Sequence, residues 1–202
     1  EVRIVDGRGT AYDVRLGALK KHMAHAEILN VLRNHNEPAV HLTLAVGVLK
    51  NPSKFDFLVE KVTELGVKNI IPLITQRTIP NHAKVERWQK LALAAMKQCG
   101  RSYLPAVSKL MTLDEVLSQR GRFDLNCIAH EKESGSQRLD KLVAKKHRSV
   151  LMLLGPEGGF DDEEVRQCLH AGFHHVYFGE RRLRTETAAV VAASFCLLAE
   201  SK

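Results

Sequence analysis

The chain has 202 residues, 45% hydrophobic and 26% charged, which is ordinary for a globular protein and enough to bury a core without disulfides or metals. No apolar run is long enough to span a bilayer, and no signal-peptide pattern follows the first residue, which is Glu1 rather than Met. Thirty Lys and Arg against 23 Asp and Glu give a net charge of +7, which favours polyanionic partners without demanding them.

Residues 1–38 read as a small β module. Val2 and Ile4, then Tyr12, Val14 and Leu16, alternate with polar residues as strands do, and Asp6-Gly7-Arg8-Gly9 between them is a hairpin signal. Residues 26–33 are a weaker strand candidate, and Asn36-Glu37-Pro38 marks a boundary. Residues 39–202 alternate strands with helices. Leu42 to Leu49 reads as a buried strand, and Phe55, Leu58, Val59, Val62 and Leu65 recur at helical spacing before Gly66. Asn69 to Ile74 is the next strand. Trp88, Leu91, Ala92, Ala95, Met96 and Cys99 line a second helix, closed by Gly100.

Thr112 with Glu115 and Asp161 with Glu164 are capping boxes, the second ahead of a helix ended by Gly172. Leu125 to Ala129, Val150 to Leu154 and His175 to Phe178 are further strands, and Thr185 to Glu200 is an Ala-rich last helix. Its Ala188, Ala189, Ala192 and Ala193 suit close packing against either a partner or the chain's own sheet. Segment 131–149 is polar and basic and reads as a surface excursion. The alternation predicts an α/β domain with a mainly parallel sheet covered on both faces. Cys99, Cys127 and Cys196 sit among apolar residues as small buried hydrophobes, and reduced thiols fit a cytoplasmic protein. No Cys-x-x-Cys or His-Glu-x-x-His occurs, so no metal site is expected.

Four segments carry chemistry. Leu153-Leu154-Gly155-Pro156-Glu157-Gly158-Gly159-Phe160 follows a buried strand, and its glycines let backbone approach a ligand closely. It is neither a P-loop nor a dinucleotide fingerprint. Gly179-Glu180-Arg181-Arg182-Leu183-Arg184-Thr185-Glu186-Thr187 puts three arginines beside a helix N-terminus, a pattern suited to anions. Lys50 and Lys54 bracket the loop after the first buried strand, where α/β proteins bind ligands. Glu60 and Glu64 in the same stretch read more simply as partners of Lys61 or Lys68 than as a catalytic pair. Lys97-Gln98-Cys99-Gly100-Arg101 closes the second helix.

Together these segments resemble the RsmE family of small-subunit (16S) ribosomal RNA uridine-N3 methyltransferases, within the SPOUT superfamily. The matching stretches are a Lys-x-x-x-Lys-x-Asp-x-Leu-Val-Glu-Lys-x-Thr-Glu-Leu-Gly motif at 50–66, an Arg-Trp-x-Lys and Gln-Cys-Gly-Arg helix at 87–101, the Gly-Pro-Glu-Gly-Gly-Phe loop at 155–160 and Leu-Arg-Thr-Glu-Thr-Ala at 183–188. Their order makes the match specific. Gln76-Arg77-Thr78 departs from the family, which often has serine after the arginine.

The resemblance implies a trefoil-knotted SPOUT methyltransferase domain over 39–202, preceded by a PUA-like RNA-binding β-barrel of which 1–38 is only part. It implies S-adenosylmethionine as cofactor, held by Leu154, Gly155, Pro156, Glu157, Gly158 and Gly159 together with Gly179, Leu183, Arg184 and Thr185. It further implies a 16S ribosomal RNA or small-subunit substrate, a homodimer and a cytoplasmic location. Uridine N3 must lose a proton before it can be methylated, so Arg184 first and Arg101 second are the candidates to stabilise the deprotonated base. Glu157 and Glu186 are weighed as proton acceptors, and neither is assigned. Lys50, Lys54 and Arg77 are the expected phosphate contacts. The rival expectations are a catalytically silent RNA-binding SPOUT protein and a SPOUT methyltransferase with another RNA target.

Overall fold

The computed structural model describes residues 1–131, 135–143 and 147–198. Three antiparallel strands come first: β1 (Val2–Val5), β2 (Thr10–Lys20) and β3 (Met23–Arg33). The strand expected at 26–33 is longer than its apolar pattern suggested, because pairing with β2 carries it back to Met23 through two register shifts. Val2, Ile4, Leu16, Ile28 and Val31 of this sheet are exposed, while Val14 and Ala11 of its central strand are buried.

The rest of the chain runs β4 (His41–Gly47), α1 (Pro52–Leu65), β5 (Asn69–Ile74), α2 (Val85–Cys99), β6 (Ala106–Val107), β7 (Met111–Thr112), α3 (Leu113–Leu117), β8 (Leu125–Ala129), β9 (Gln137–Arg138), α4 (Leu139–Leu142), β10 (Ser149–Leu154), α5 (Asp162–His170), β11 (His174–Tyr177) and α6 (Thr185–Leu198). The strands form one parallel sheet in the order β6-β5-β4-β10-β8-β11-β9, with β7 also on β5. Both faces are covered. Leu42, Leu44, Val46, Val150, Met152 and Leu154 point to one apolar layer, and Ala45, Leu151 and Leu153 to the other, so the strands read as continuous apolar runs. After β11 the chain recrosses the sheet, and α6 packs on α1, β4 and β10. No helix among the described residues is long and apolar enough to cross a membrane.

Local chemistry accounts for the helix ends. Asn51 caps α1 by accepting from Ser53 N, and Pro52 occupies the first turn, where its missing N–H costs nothing. Gly66 ends the helix at φ +110°, and a Cβ there would come within 2.6 Å of Pro38 Cγ. Both capping boxes form. The Phe55 and Trp88 rings stack at 4.1 Å, and Trp88 Nε1 donates to Asp56, which also takes Arg87. Truncating a buried tryptophan of this kind costs about 3–5 kcal/mol.

Four expectations change. Segment 131–149 is more than an excursion: Gln137–Leu142 forms β9 and α4, and Leu139 and Leu142 are buried in the core, while 132–134 and 144–146 lie outside the described residues. The four alanines of α6 are buried in the chain's own core, which settles their packing in favour of the sheet. Cys99 is half-buried, whereas Cys168 joins Cys127 and Cys196 in the interior. Burial pushes the Cys168 and Cys196 thiols up to about 12 and Cys127 higher still, so all three stay protonated and inert.

Arg101 is the fourth correction. It lies where the small sheet meets the large one, and its side chain is 3% exposed. Its guanidinium pairs with Glu37 Oε2 at 2.7 Å and donates to the carbonyls of Thr63, Gly66 and Val67 at the end of α1. Glu37, itself 1% exposed, also accepts from the N–H groups of Ser102 and Tyr103 and faces Lys68 at 3.6 Å. Burial lowers the Lys68 pKa and Glu37 opposes that shift, while the ammonium sits 3.7 Å over the Tyr103 ring. Arg101 therefore closes α1 and joins the two sheets.

Candidate functional site

Parallel strands deliver their C-terminal loops to one end of the sheet. Here the register is nearly level: Leu154 lies beside Val46 and Ala129, Ala129 beside Val176, and Gly47 beside Leu73. The loops after β4, β5, β8, β10 and β11 consequently meet.

At the centre is the loop 155–160. It coils tightly: a Cβ on Gly155 would lie 2.9 Å from the Gly159 backbone, and one on Gly47 would lie 2.4 Å from Pro156 N. Only glycine fits at these contacts. Gly159 (φ +70°) and Gly179 (φ +143°) are different, because their Cβ positions face open space with nothing within 4 Å. They leave room beside bare backbone on two neighbouring loops.

Each surrounding loop fastens this one. Lys50 N donates to Glu157 Oε1 at 3.0 Å and Oε2 at 3.3 Å. Arg77 Nη1 donates to Gly158 O at 2.9 Å. Gln76 N donates to Glu164 Oε1 at 2.8 Å, and Glu164 Oε2 accepts from Asp161 N in the α5 capping box. Thr185 Oγ1, at the start of α6, donates to Gly155 O at 3.0 Å. Next to it, Glu186 Oε1 lies 3.6 Å from Lys54 Nζ on α1. Across the site Glu131, after β8, pairs with Arg182, while the His175 ring contacts the Glu131 carbonyl at 3.0 Å. A half-open cavity of about 370 Å³ lies at the end of β11, lined by Ser136, Gln137, Arg138, Lys141, Leu142 and Tyr177.

The structure thus gathers Leu154 to Gly159, Thr185, Lys50, Lys54 and Arg77 around one sheet end, with Gly179, Leu183 and Arg184 on the loop that enters α6. Leu154, Pro156 and Thr185 are buried, whereas Glu157, Gly158 and Arg184 are exposed. The Arg184 carbonyl accepts from Ala188 N, which fixes its backbone while its guanidinium faces solvent. The Lys50 backbone also holds the Glu157 carboxylate, which leaves the Lys50 ammonium free of that contact. Glu60 and Glu64 both pair with Lys61, as expected, at 2.7 and 3.0 Å. Sequence reasoning overlooked Gly47, Gln76 and Glu131. A glycine closing a buried strand was a signal for the first, but the other two show no pattern before folding. Among the described residues no group of three or more His, Cys, Asp or Glu could hold a metal.

An RNA methyltransferase domain family matches residues 35–197. Similar curated proteins include the ribosomal RNA small subunit methyltransferase E of Mesomycoplasma hyopneumoniae, 29% identical over 85% of this chain and 76% of that protein. Those of Synechocystis and of Buchnera aphidicola from Acyrthosiphon pisum are 30% and 32% identical over 94% and 80% of this chain. The chain spans 63% and 64% of the length of those two relatives. Among solved structures, a ribosomal RNA small subunit methyltransferase E from Neisseria gonorrhoeae bound to S-adenosyl methionine superposes with a TM-score of 0.82, at 34% identity over 96% of this chain and 80% of that one. A methyltransferase from Legionella pneumophila, in complex with the same cofactor, gives 0.81 at 30% identity over 96% and 81%.

Proposed function

This chain belongs to the ribosomal RNA small subunit methyltransferase E family of S-adenosylmethionine-dependent RNA methyltransferases, and we propose that it methylates N3 of a uridine in small-subunit ribosomal RNA. The observation that carries this reading is the joining of two ligand-facing loops by the Thr185–Gly155 hydrogen bond, beside the cations Lys50, Lys54 and Arg77.

The residues fit the cofactor. Gly159 and Gly179 leave open space where side chains would stand, and the tight coil of 155–159 presents backbone N–H and C=O groups around it. Leu154 to Gly159, Gly179, Leu183 and Thr185 would hold the molecule mainly through backbone. Bound there, S-adenosylmethionine supplies an electrophilic methyl group on a sulfonium.

The chain's own part is to position the uracil and to accommodate its charge when N3 gives up its proton. The exposed guanidinium of Arg184 serves the second task, because its N–H groups can donate to a uracil carbonyl oxygen onto which that charge spreads while N3 stays open to the methyl group. Glu157 already accepts from Lys50 N, and Glu186 keeps Oε2 buried and without a hydrogen bond, so neither is assigned the proton, which passes from N3 to solvent water. Lys50, Lys54 and Arg77 take the phosphates, and the target base leaves its stack to reach the site. The protein acts in the cytoplasm as a homodimer. With its alanines turned inward, α6 has Thr187, Val191 and Leu198 on the faces left for a partner copy.

Incubation with unmodified small subunits and methyl-labelled cofactor, followed by nucleoside analysis, tests this reading. Label in N3-methyluridine is expected. Label in a 2′-O-methyl nucleoside or in another base would reject the proposed target.

A further inference from the structure

The turn at residues 75–78 is braced more heavily than a phosphate-binding loop requires. Thr78 N donates to Thr75 O at 3.0 Å, Thr75 N donates to Thr78 Oγ1 at 3.0 Å, and the two hydroxyls meet at 2.9 Å. Gln76 and Arg77 are thereby fixed at its tip. Gln76 N is tied to Glu164 of α5, and Arg77 reaches the Gly158 carbonyl. A Cβ on Gly158 would lie only 3.2 Å from Arg77 Cβ, so the glycine loop rests directly on this arginine.

Arg77 uses only Nη1 for that contact. Its Nε and Nη2 have no partner among the described residues, and the residue is exposed. A guanidinium is a rigid fork, and its Nε–Nη2 edge can take two oxygens of one phosphate while Nη1 keeps the carbonyl. A phosphate bound on that edge would hold the side chain in the rotamer that supports Gly158. The ordering cost of this rotamer would then no longer fall on cofactor binding.

We propose that Arg77 couples the two ligands: RNA phosphate on its outer edge strengthens cofactor binding at the loop it supports, and cofactor strengthens RNA binding by the same factor. This rests on the assignment of loop 155–160 to S-adenosylmethionine and of the Arg77 side to RNA. Arg77 is a positioning residue in this scheme, acting on the cofactor through Gly158. The reciprocity is a thermodynamic requirement, so either ligand reports it.

The test uses S-adenosylhomocysteine, which cannot turn over. Its affinity is measured by equilibrium dialysis alone and with saturating unmodified small ribosomal subunits, for the unaltered protein, Arg77→Gln and Arg77→Lys. Subunits should tighten cofactor binding of the unaltered protein by about fivefold or more, within the usual range of coupling between sites. The ratio should fall towards one in both variants, since lysine keeps the charge but not the fork. An unaltered-protein ratio of one or below would overturn the coupling. So would a variant that weakens cofactor binding equally with and without subunits, which makes Arg77 only a brace. A variant that needs more subunits to saturate but keeps the full ratio would also overturn it, and would make Arg77 only a phosphate contact. If the unaltered protein bound no cofactor at all, the functional assignment itself would fall, which is a different result from a ratio of one.

Discussion

The Thr185 hydroxyl donates a 3.0 Å hydrogen bond to the Gly155 carbonyl, joining the first residue of the last helix to a loop 30 residues earlier. The glycine loop and the arginine-rich segment become one site through this bond. Thr185→Val keeps the shape and β-branching but removes the donor. A net hydrogen bond of this kind is worth about 0.5–1.5 kcal/mol, so the melting temperature should fall modestly, and cofactor affinity should fall by up to about two- to twelvefold as the two loops lose their fixed relation. Calorimetry on the folded variant measures this. Unchanged affinity would mean that the two loops are held together by something else.

Arg184→Lys probes the chemistry. If the guanidinium stabilises charge on the uracil, single-turnover methylation at saturating cofactor and RNA should slow by about a hundredfold or more. Both binding affinities should change much less. A rate that returns to normal at saturation would make Arg184 a binding residue only.

The buried pair of Glu37 and Arg101 separates stability from catalysis. Removing one partner of a buried ion pair costs about 3–5 kcal/mol where the other is left uncompensated; Lys68 and two N–H groups still face Glu37 here, so the loss should fall towards the low end of that range or below it. Arg101→Ala should therefore lower the melting temperature, and it also strips donors from the carbonyls that end α1. Well below that temperature, cofactor affinity should match that of the unaltered protein. A variant of normal stability but without methyl transfer would restore Arg101 to the reactive centre.

How legible such features were depended on whether their cause is local. The α1 pattern of Phe55, Leu58 and Val62, the stop at Gly66 and both capping boxes are set by neighbours within a turn or two, and all formed as read. Strand β5 matches its expected limits, Asn69 to Ile74, because a strand buried on both faces is apolar along its whole length. The burial of Arg101 against Glu37 was not legible, because the two lie 64 residues apart and no periodicity links them. The short β9–α4 unit was hidden in a polar stretch where only Leu139 and Leu142 reach the core. The glycine loop could be recognised, but its fastening by Lys50 N, Arg77 and Thr185 could not, since each bond joins residues brought together only by the sheet register.

Asp124 gives a pH-dependent prediction. Its carboxylate accepts from the N–H groups of Arg148 at 2.8 Å and Ser149 at 3.0 Å, which ties the start of β8 to the start of β10 and holds its pKa below the ordinary aspartate value. A depressed carboxyl pKa contributes stability that is present above the unfolded value, about 3.9, and lost as pH falls through the folded one. Asp124→Asn should melt lower than the unaltered protein at neutral pH, and the gap should narrow as the solution is acidified below about pH 4. Thermal denaturation across pH measures it. A gap that is constant down to strong acid would mean that the charge on Asp124 contributes nothing.

We propose that this chain places a methyl group on uridine N3 of small-subunit ribosomal RNA. The most direct test is mass spectrometry of that RNA from cells with and without the protein. One N3-methyluridine is expected in the first and should be missing from the second, restored by the unaltered protein but not by Arg184→Lys. An identical set of modified nucleosides in both cell lines would contradict it.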